Sequence, residues 1–305
     1  MTRLTDWLFE RQLNKIVTTV KPDVLYGHFW STAYRLKNVA FKYKLPLFVA
    51  CGEGDNALEH LVETLTDEDK KQFASMVTGV ISVSTENKRK CVQYGLAKNE
   101  NIVVLPNCVD ETVFYPQKGT QFKKKLGLKD NDFLILFVGG FIIRKGADRL
   151  SAAIDSLNDP GIKSVFIGKA VAGDTAMPHC SGILFQGAVA HEELPRYLNA
   201  ADVFVLPTLK EGCSNAIVEA LACGIPVISS DRPFNDDILN DGNSLRINPE
   251  NVEALAEAIY TLRTNKRLYA EKKQYALAHS GQYAISNRAR KIYGFILLLS
   301  DKISI

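Results

Sequence analysis

Two glutamates, Glu211 and Glu219, lie eight positions apart on either side of a predicted strand-to-helix junction. The β-branched and aromatic run 202–207 before them is typical of a buried strand. The apolar, alanine-rich segment 215–223 after them predicts a buried helix that ends at Gly224. Glu219 is the only charged residue of that helix, and burying an unpaired carboxylate is costly. We therefore expect Glu219 to have a specific partner.

The start of this helix is predicted to bind an anion. Ser214 occupies the N-cap position, and Asn215 and Glu219 share one face of the helix. Helical side chains lean toward the N-terminus, so Glu219 points to the helix start, which Glu211 approaches from the preceding loop. Free N–H groups and the helix dipole favour an anion at this point. An anion between two hydrogen-bond acceptors matches the layout of a nucleotide-diphosphate sugar.

Composition excludes several other classes of protein. A length of 305 residues is enough for two domains, and a formal net charge of +3 is too small for a nucleic-acid-binding domain. The six cysteines include no CxxC pair, and no further ligands accompany the close pair His179 and Cys180, so we expect no metal site. The sequence shows no secretory signal and no transmembrane segment, which favours a cytoplasmic protein with reduced thiols.

Strand-like and helix-like segments alternate along the chain, which predicts an α/β protein with parallel sheets. The predicted strands span 23–27, 46–51, 79–84, 101–105, 132–139, 163–168, 182–187, 202–207, 226–230 and 244–247. The predicted helices span 3–20, 31–44, 57–63, 67–76, 85–94, 146–158, 191–199, 214–223, 234–240, 251–264, 267–279 and 284–299.

The segment 106–130 contains prolines, glycines and a lysine run without clear periodicity, which is typical of a linker. We predict two doubly wound domains, 1–112 joined by the C-terminal helix 284–305, and 113–283. Such a domain normally opens on a strand and a glycine-rich turn, whereas this chain opens on a predicted helix. We therefore expect the first strands of the N-terminal domain to be missing.

A second cluster of interest runs from Gly139-Gly140 to Lys145-Gly146. It follows a predicted strand and opens a predicted helix, so its backbone can approach a phosphate closely. The cluster is not a Walker A loop, because Lys145 precedes the last glycine and the spacing differs.

These segments resemble the nucleotide-sugar-dependent glycosyltransferases of family 4 (group 1), which have the two-domain GT-B fold with a ligand cleft between the domains. The resemblance covers residues 23 to about 293. A Glu-x7-Glu pair alone is a weak signal, but its combination with Cys223-Gly-Ile-Pro-Val227 and the upstream glycine cluster is specific. The other matching segments are Asp23–His28, Ile81–Ser84, Val104–Asp110 and Leu184–Gly187.

The resemblance implies roles for both glutamates. Glu219 would accept hydrogen bonds from the nucleotide ribose, and Glu211 would hold hydroxyls of the donor sugar. The alternatives are a buried structural carboxylate at Glu219 and a solvated loop acid at Glu211. Diphosphate and sugar would be cradled by the backbone N–H groups of Gly212, Cys213, Ser214 and Asn215.

The resemblance also implies how the diphosphate leaving group is neutralised. Lys145 matches the family lysine, and Gly139 and Gly140 form the close-approach turn. Gly140 replaces a family arginine, so we expect Arg144 to supply that charge; the alternative is an exposed cation at a helix start. Two cations would replace a divalent metal, and transfer without a metal or cofactor is expected.

In the N-terminal half, His28 follows a predicted strand at its C-terminal end, where parallel sheets place ligands. Glu53 lies in a glycine-flanked turn after the next strand, where many family members have a histidine. Both are predicted catalytic-site residues contacting donor sugar or acceptor. The alternatives are a structural histidine and a loop acid.

The implied function is retaining transfer of a hexose from a nucleotide-diphosphate sugar to a glycan or lipid-linked acceptor, in cell-surface polysaccharide or glycolipid synthesis. The cations and aromatics of 35–44 suggest peripheral contact with the inner face of the cell membrane, or else a solvated helix face. A second hypothesis is an impaired nucleotide-sugar-binding fragment or subunit. An NAD-dependent oxidoreductase is disfavoured, because no G-x-G-x-x-G follows a predicted strand.

Overall fold

The structure, a computed structural model, describes residues 3–54 and 56–300, and it divides into two compact units. The first unit contains the residues up to Pro106, the short segment Glu211–Cys213 and the residues from Ala289 onward. The second unit contains Asn107–Lys210 and Ser214–Arg288. The chain thus first passes from one unit to the other after Pro106, whereas the sequence predicted this domain boundary at residue 112. The chain returns to the first unit within the predicted C-terminal helix.

The first unit has a parallel four-stranded sheet with its strands in chain order, β1-β2-β3-β4. Its helices and strands are α1 Arg3–Val20, β1 Leu25–His28, α2 Trp30–Tyr43, β2 Leu47–Cys51, α3 Ala57–Glu63, α4 Asp67–Met76, β3 Val77–Ser82, α5 Thr85–Gln93 and β4 Ile102–Val104.

The sheet of the first unit is buried on both faces, as is usual for parallel sheets. Alternate residues of β2 point to opposite faces. Leu47 and Val49 belong to a core that includes Trp30 of α2, whereas Phe48 packs in a second core with Leu299 near the C-terminus. Continuous apolar runs of this kind are the signal from which the sequence predicted these strands.

The start of α2 is held by an unusual contact. The residue before it, Phe29, has φ +66° and ψ 153°, a region that side-chain-bearing residues rarely adopt. The buried N–H of Trp30 donates to Glu53 Oε1 at 2.7 Å, and the Asn87 amide donates to the Glu53 carbonyl at 3.0 Å. Glu53 Oε2 is buried and has no partner among the described residues. Burial raises the pKa of the Glu53 carboxyl, which the Trp30 N–H partly offsets.

The second unit has a parallel six-stranded sheet of order β10-β9-β8-β5-β6-β7. Its helices and strands are α6 Thr120–Lys125, β5 Phe133–Val138, α7 Ala147–Leu157, β6 Ile162–Ile167, β7 Ile183–Gly187, α8 Leu194–Ala200, β8 Val203–Leu206, α9 Asn215–Ala222, β9 Val227–Ser230, β10 Ser244–Ile247, α10 Val252–Thr264 and α11 Lys266–His279. The last helix, α12 Ile285–Ser300, begins in this unit and continues in the first.

Strand order reverses between β5 and β8. The chain passes from β5 to β6 and β7 on one side, then crosses to β8 on the other side of β5. Ligands of open α/β sheets bind at such a switch point, beyond the carboxyl ends of the strands.

The predicted parallel α/β architecture is confirmed, and each predicted strand overlaps an observed one. Two predictions of local structure are wrong. The expected linker contains helix α6, which Lys123 ties to Asp202. The predicted helix 234–240 is a single 3₁₀ turn, Pro233–Asn235, because the Asn235 amide donates to the Ser230 carbonyl and competes with helix formation.

Across 3–54 and 56–300, no helix is both long and apolar enough to span a bilayer.

Asp202 joins several elements of the second unit. Its Oδ2 accepts the Leu134 N–H at 2.8 Å, and its Oδ1 accepts Lys123 Nζ at 2.7 Å. The Tyr269 hydroxyl lies 3.5 Å from Oδ1; burial, followed by the charge of Asp202, raises the pKa of Tyr269. One carboxylate thus fixes the starts of β5 and β8 and the position of α6.

We predict opposite behaviour for two substitutions of Glu53. Glu53→Ala leaves the buried Trp30 N–H without an acceptor and lowers the free energy of unfolding by about 1–3 kcal/mol. Glu53→Gln keeps an acceptor and cannot ionise. In the unaltered protein the folded-state pKa of Glu53 is raised. The neutral Glu53 carboxyl therefore stabilises the fold below the ordinary carboxyl pKa, and this stabilisation is lost as the pH rises through the folded-state pKa. Urea unfolding from about pH 4 to 7 is expected to favour the Gln variant increasingly; a constant difference would contradict this.

A second prediction concerns Asp202. Asp202→Ala leaves the Leu134 N–H unsatisfied and is expected to cost about 1–3 kcal/mol of unfolding free energy. Asp202→Asn keeps that acceptor and is expected to cost less. The matched variant Lys123→Met removes only the partly exposed ion pair, which is worth about 1 kcal/mol or less. Equal losses for all three variants in urea unfolding would argue against the role of the Leu134 bond.

Candidate functional site

Two loops leave the sheet of the second unit side by side at its switch point. The loop 139–146 leaves the carboxyl end of β5, and the loop that starts at Pro207 leaves the carboxyl end of the adjacent strand β8. The first loop leads into α7 and the second into α9. The sheet topology therefore brings both predicted motifs to one edge, although they are far apart in sequence.

Arginine side chains and backbone bonds join the two loops. The Leu209 N–H donates to the Arg144 carbonyl at 2.8 Å, and Arg144 Nη1 donates to the Lys210 carbonyl at 2.6 Å. From α7, Arg149 Nη2 donates to the Pro207 carbonyl at 2.8 Å. Arg144 is therefore not the freely exposed cation of the alternative hypothesis. Its charge stays at this edge while one N–H orders the second loop.

The glycine cluster allows a close approach of backbone and side chains. Gly146 has φ +78°, and a Cβ there would lie 2.9 Å from the Pro207 carbonyl oxygen. The Lys145 side chain passes over Gly139. A Cβ added to Gly139 would lie 3.6 Å from Lys145 Cδ. Gly140 has more room, because a Cβ there would meet nothing closer than 3.9 Å.

Helix α9 begins where the sequence predicted it. Ser214 is the N-cap residue, but its side chain makes no capping hydrogen bond. Asn215 is exposed, and its Oδ1 accepts from Asn107 Nδ2 at 2.7 Å. The predicted N-cap position of Ser214 is thus confirmed.

Glu219 is buried and has the specific partner that its burial requires. Glu219 Oε1 lies 3.2 Å from His191 Nε2. Desolvation raises the pKa of the Glu219 carboxyl, and the hydrogen bond and charge of His191 oppose that rise. Burial, with Glu219 as the next largest cause, raises the pKa of the Cys223 thiol to about 12. The carboxylate therefore lies in a weakly solvated environment with one polar side chain directed at it.

His191 and Asn107 were missed by sequence reasoning. His191 lies in a 3₁₀ turn after β7, and a parallel sheet places that turn at the same edge as the start of α9. This topological signal was available, but no motif marks the residue. Asn107 lies in the matching segment Val104–Asp110, but nothing local predicts its contact with Asn215, 108 residues away.

The remaining predicted residues belong to the first unit. His28 is exposed at the end of β1, with its ring edge-on to Tyr26 at 5.2 Å. Glu53 follows the neighbouring strand β2, and it is buried rather than the solvated loop acid of the alternative hypothesis. Glu211, Gly212 and Cys213 group with this unit. A Cβ on Gly212 would lie 2.7 Å from the Gly52 carbonyl oxygen.

The structure therefore brings the predicted residues together in two sets. Arg144, Lys145, Gly139 and Gly140 share one sheet edge of the second unit with Ser214, Asn215 and Glu219. His28 and Glu53 follow adjacent strands of the first unit, and the turn containing Glu53 lies against Gly212. Within the described ranges, no three His, Cys, Asp or Glu side chains are grouped so as to hold a metal ion.

Comparison with solved structures identifies the fold. Anabaena Alr3699/HepE in complex with UDP superimposes with a TM-score of 0.80 at 19% identity, covering 92% of this chain and 80% of that one. Sucrose-phosphate synthase from Thermosynechococcus elongatus has a TM-score of 0.77 at 18% identity, covering 95% and 77%. These likenesses establish the GT-B fold class that the sequence predicted.

Sequence relatives identify the family. The putative teichuronic acid biosynthesis glycosyltransferase TuaC of Bacillus subtilis is 31% identical over 78% of this chain and 60% of its own length. The Escherichia coli UDP-Gal:alpha-D-GlcNAc-diphosphoundecaprenol alpha-1,3-galactosyltransferase is 29% identical over 64% of this chain and 54% of its own length. This chain therefore spans little more than half the length of either relative. The family model "Glycosyl transferases group 1" matches residues 119–279, and the chain belongs to that family.

Proposed function

We propose that the chain transfers a sugar, with retention of anomeric configuration, from a nucleotide-diphosphate donor to a glycan or lipid-linked acceptor. The observation that carries this proposal is the buried carboxylate of Glu219 in the middle of α9, a helix that starts at the same sheet edge as the cationic loop 139–146. Both lie within the region that matches the family. A buried acceptor beside cations and free helix N–H groups suits a ligand that has both hydroxyls and a diphosphate.

The proposed donor roles are those that the family resemblance implies. Glu219 accepts hydrogen bonds from hydroxyls of the nucleotide ribose, and Glu211 accepts them from hydroxyls of the sugar. The backbone from Gly212 to Asn215 binds the diphosphate and sugar. UDP is the first nucleotide to test, because it is bound in the structural neighbour Alr3699/HepE.

Catalysis depends on charge that develops as the donor bond breaks. The sugar becomes oxocarbenium-like, and the leaving diphosphate gains negative charge. Lys145, Arg144 and the α9 dipole stabilise that charge, and a helix terminus contributes up to roughly 2 kcal/mol. Preorganised donors of this kind act without reorganisation during the reaction. The donor phosphate then accepts the proton of the attacking hydroxyl, and no divalent metal is required.

The acceptor proposal comes from the relatives. The E. coli relative acts on a diphosphoundecaprenol-linked sugar, and the B. subtilis relative is assigned to teichuronic acid biosynthesis. A lipid-linked acceptor would place the protein at the inner face of the cell membrane. Basic side chains of α2 face aromatic rings, with Arg35 over Phe9 at 3.9 Å and Lys37 over Tyr34 at 3.5 Å. These partly engaged cations fit peripheral contact with anionic headgroups.

One alternative is a protein that binds a nucleotide sugar without transferring it. Transfer and binding must therefore be measured separately, with a panel of nucleotide sugars and a lipid-linked acceptor. Binding without any transfer or donor hydrolysis would support the alternative.

The two glutamates are predicted to have separable effects. Glu219→Gln removes a charged acceptor of the ribose and is expected to weaken UDP binding about 10–100-fold. Glu211→Gln is expected to lower turnover of a UDP-sugar while changing UDP affinity less than threefold, roughly 0.6 kcal/mol. Glu257→Gln, an exposed change on α10, is the matched control. Calorimetric titration measures affinity, and unchanged UDP affinity in the Glu219 variant would refute the ribose role.

We also predict that turnover requires Lys145 and does not require a divalent metal. Lys145→Ala is expected to lower kcat by about 100-fold or more, because an electrostatic donor acts on the developing charge. Lys266→Ala, an exposed change on α11, is the control. Turnover by the unaltered protein is expected to be the same with and without EDTA. Loss of turnover in EDTA that Mg²⁺ or Mn²⁺ restores would overturn the metal-free mechanism.

A further inference from the structure

We propose that His191 is a positioning residue for donor binding: its Nε2–H holds Glu219 Oε1 and so presents Oε2 to a ribose hydroxyl. This inference rests on the proposed function and adds a residue that no motif marks. Three observations carry it: the contact itself, the burial of Glu219 beside an exposed imidazole, and the anchoring of the turn that contains His191.

The pair combines a fixed carboxylate with an accessible imidazole. The Glu219 side chain is 12% exposed and the His191 side chain 64% exposed, with 3.2 Å between Oε1 and Nε2. Helix α9 is buried along nearly its whole length, so Glu219 has little freedom to move. The exposed partner therefore approaches the carboxylate from the solvent side, where a ligand would also enter.

His191 is itself held in place. It begins the 3₁₀ turn His191–Glu193, which is closed by the Glu193 N–H to the Ala190 carbonyl at 3.0 Å. The turn continues into α8, whose Leu194 is buried. The His191 ring also lies against Phe114, with 5.1 Å between ring centroids. An exposed histidine with three such restraints is preorganised toward Glu219.

The two carboxylate oxygens of Glu219 differ in their hydrogen bonding. Oε1 is paired with His191, whereas Oε2 accepts no hydrogen bond within the described part of the chain. A hydroxyl that donates to Oε2 would make a charge-assisted bond with a carboxylate that cannot rotate away. The hydroxyls of a ribose are such donors, and phosphate oxygens, which only accept, are not.

His191 also helps to keep the carboxylate ionised. Burial raises the pKa of Glu219, and His191 opposes that rise. The other titratable group coupled to Glu219 is the Cys223 thiol, whose pKa of about 12 keeps it neutral near pH 7. Loss of the His191 donor would thus favour the protonated carboxyl, a weaker acceptor of hydroxyls.

The test compares UDP with 2′-deoxy-UDP by calorimetric titration of the full chain. The unaltered protein is expected to prefer UDP about tenfold, the effect of one hydrogen bond to a charged group. His191→Phe keeps an aromatic ring against Phe114 but has no donor, and it is expected to lose most of that preference. His191→Gln retains an N–H donor and is expected to keep it. His179→Gln, at an exposed histidine of the same unit, is the control.

Two results would overturn the proposal: an unchanged preference for UDP in His191→Phe, or an equal loss in His191→Gln. A second measurement needs no ligand. The ¹³C carboxyl signal of Glu219, identified by its disappearance in Glu219→Gln, is expected to titrate at higher pH in His191→Phe than in the unaltered protein. An unchanged midpoint would refute the contact. If the protein binds neither nucleotide, the proposed function fails, while this titration still tests the pair.

Discussion

The second unit depends on one physical constraint, a carboxylate buried in an apolar helix. Glu219 lies on α9, which packs into the core beside β8 and β9, and its desolvation must be offset by polar partners. The protein offsets it partly through His191 and leaves the other carboxylate oxygen without a partner among the described residues. That oxygen is not one of the fully buried polar atoms that lack a partner, so solvent or a ligand can reach it. An accessible acceptor on a buried helix suits the proposed hydroxyl-binding site.

The same edge of the sheet shows how positive charge is kept in place. Arg144 and Arg149 donate to carbonyls of the loop after β8, so the two loops at the switch point are tied together by side chains of the first loop and its helix. Lys145 lies over Gly139, where the absence of a side chain gives it room. Order at this edge therefore comes from cation–carbonyl bonds as well as from the strands. Membership of the group 1 glycosyltransferases and the GT-B fold give these contacts their functional setting.

The sequence was sufficient for the elements whose signals are local. The strands of both sheets are apolar runs bounded by turns, and the motif from Glu211 to Glu219 is contiguous. It was insufficient where side-chain contacts decide. The Asn235 amide, bonded to the nearby Ser230 carbonyl, keeps the segment after Pro233 from forming a longer helix. Helix α6 is fixed by the long-range bond from Lys123 to Asp202. His191 was missed for the same reason, since its significance lies in a contact with a residue beyond the next strand.

The space at Gly140 has an evolutionary consequence. The family resemblance implies an arginine at the position of Gly140, and a Cβ added to this backbone would meet no atom closer than 3.9 Å. The first atom of a side chain at 140 therefore has room while Arg144 stays in place. The backbone at 140 thus does not oppose a chain in which a cation is gained at one position of the loop before it is lost from the other.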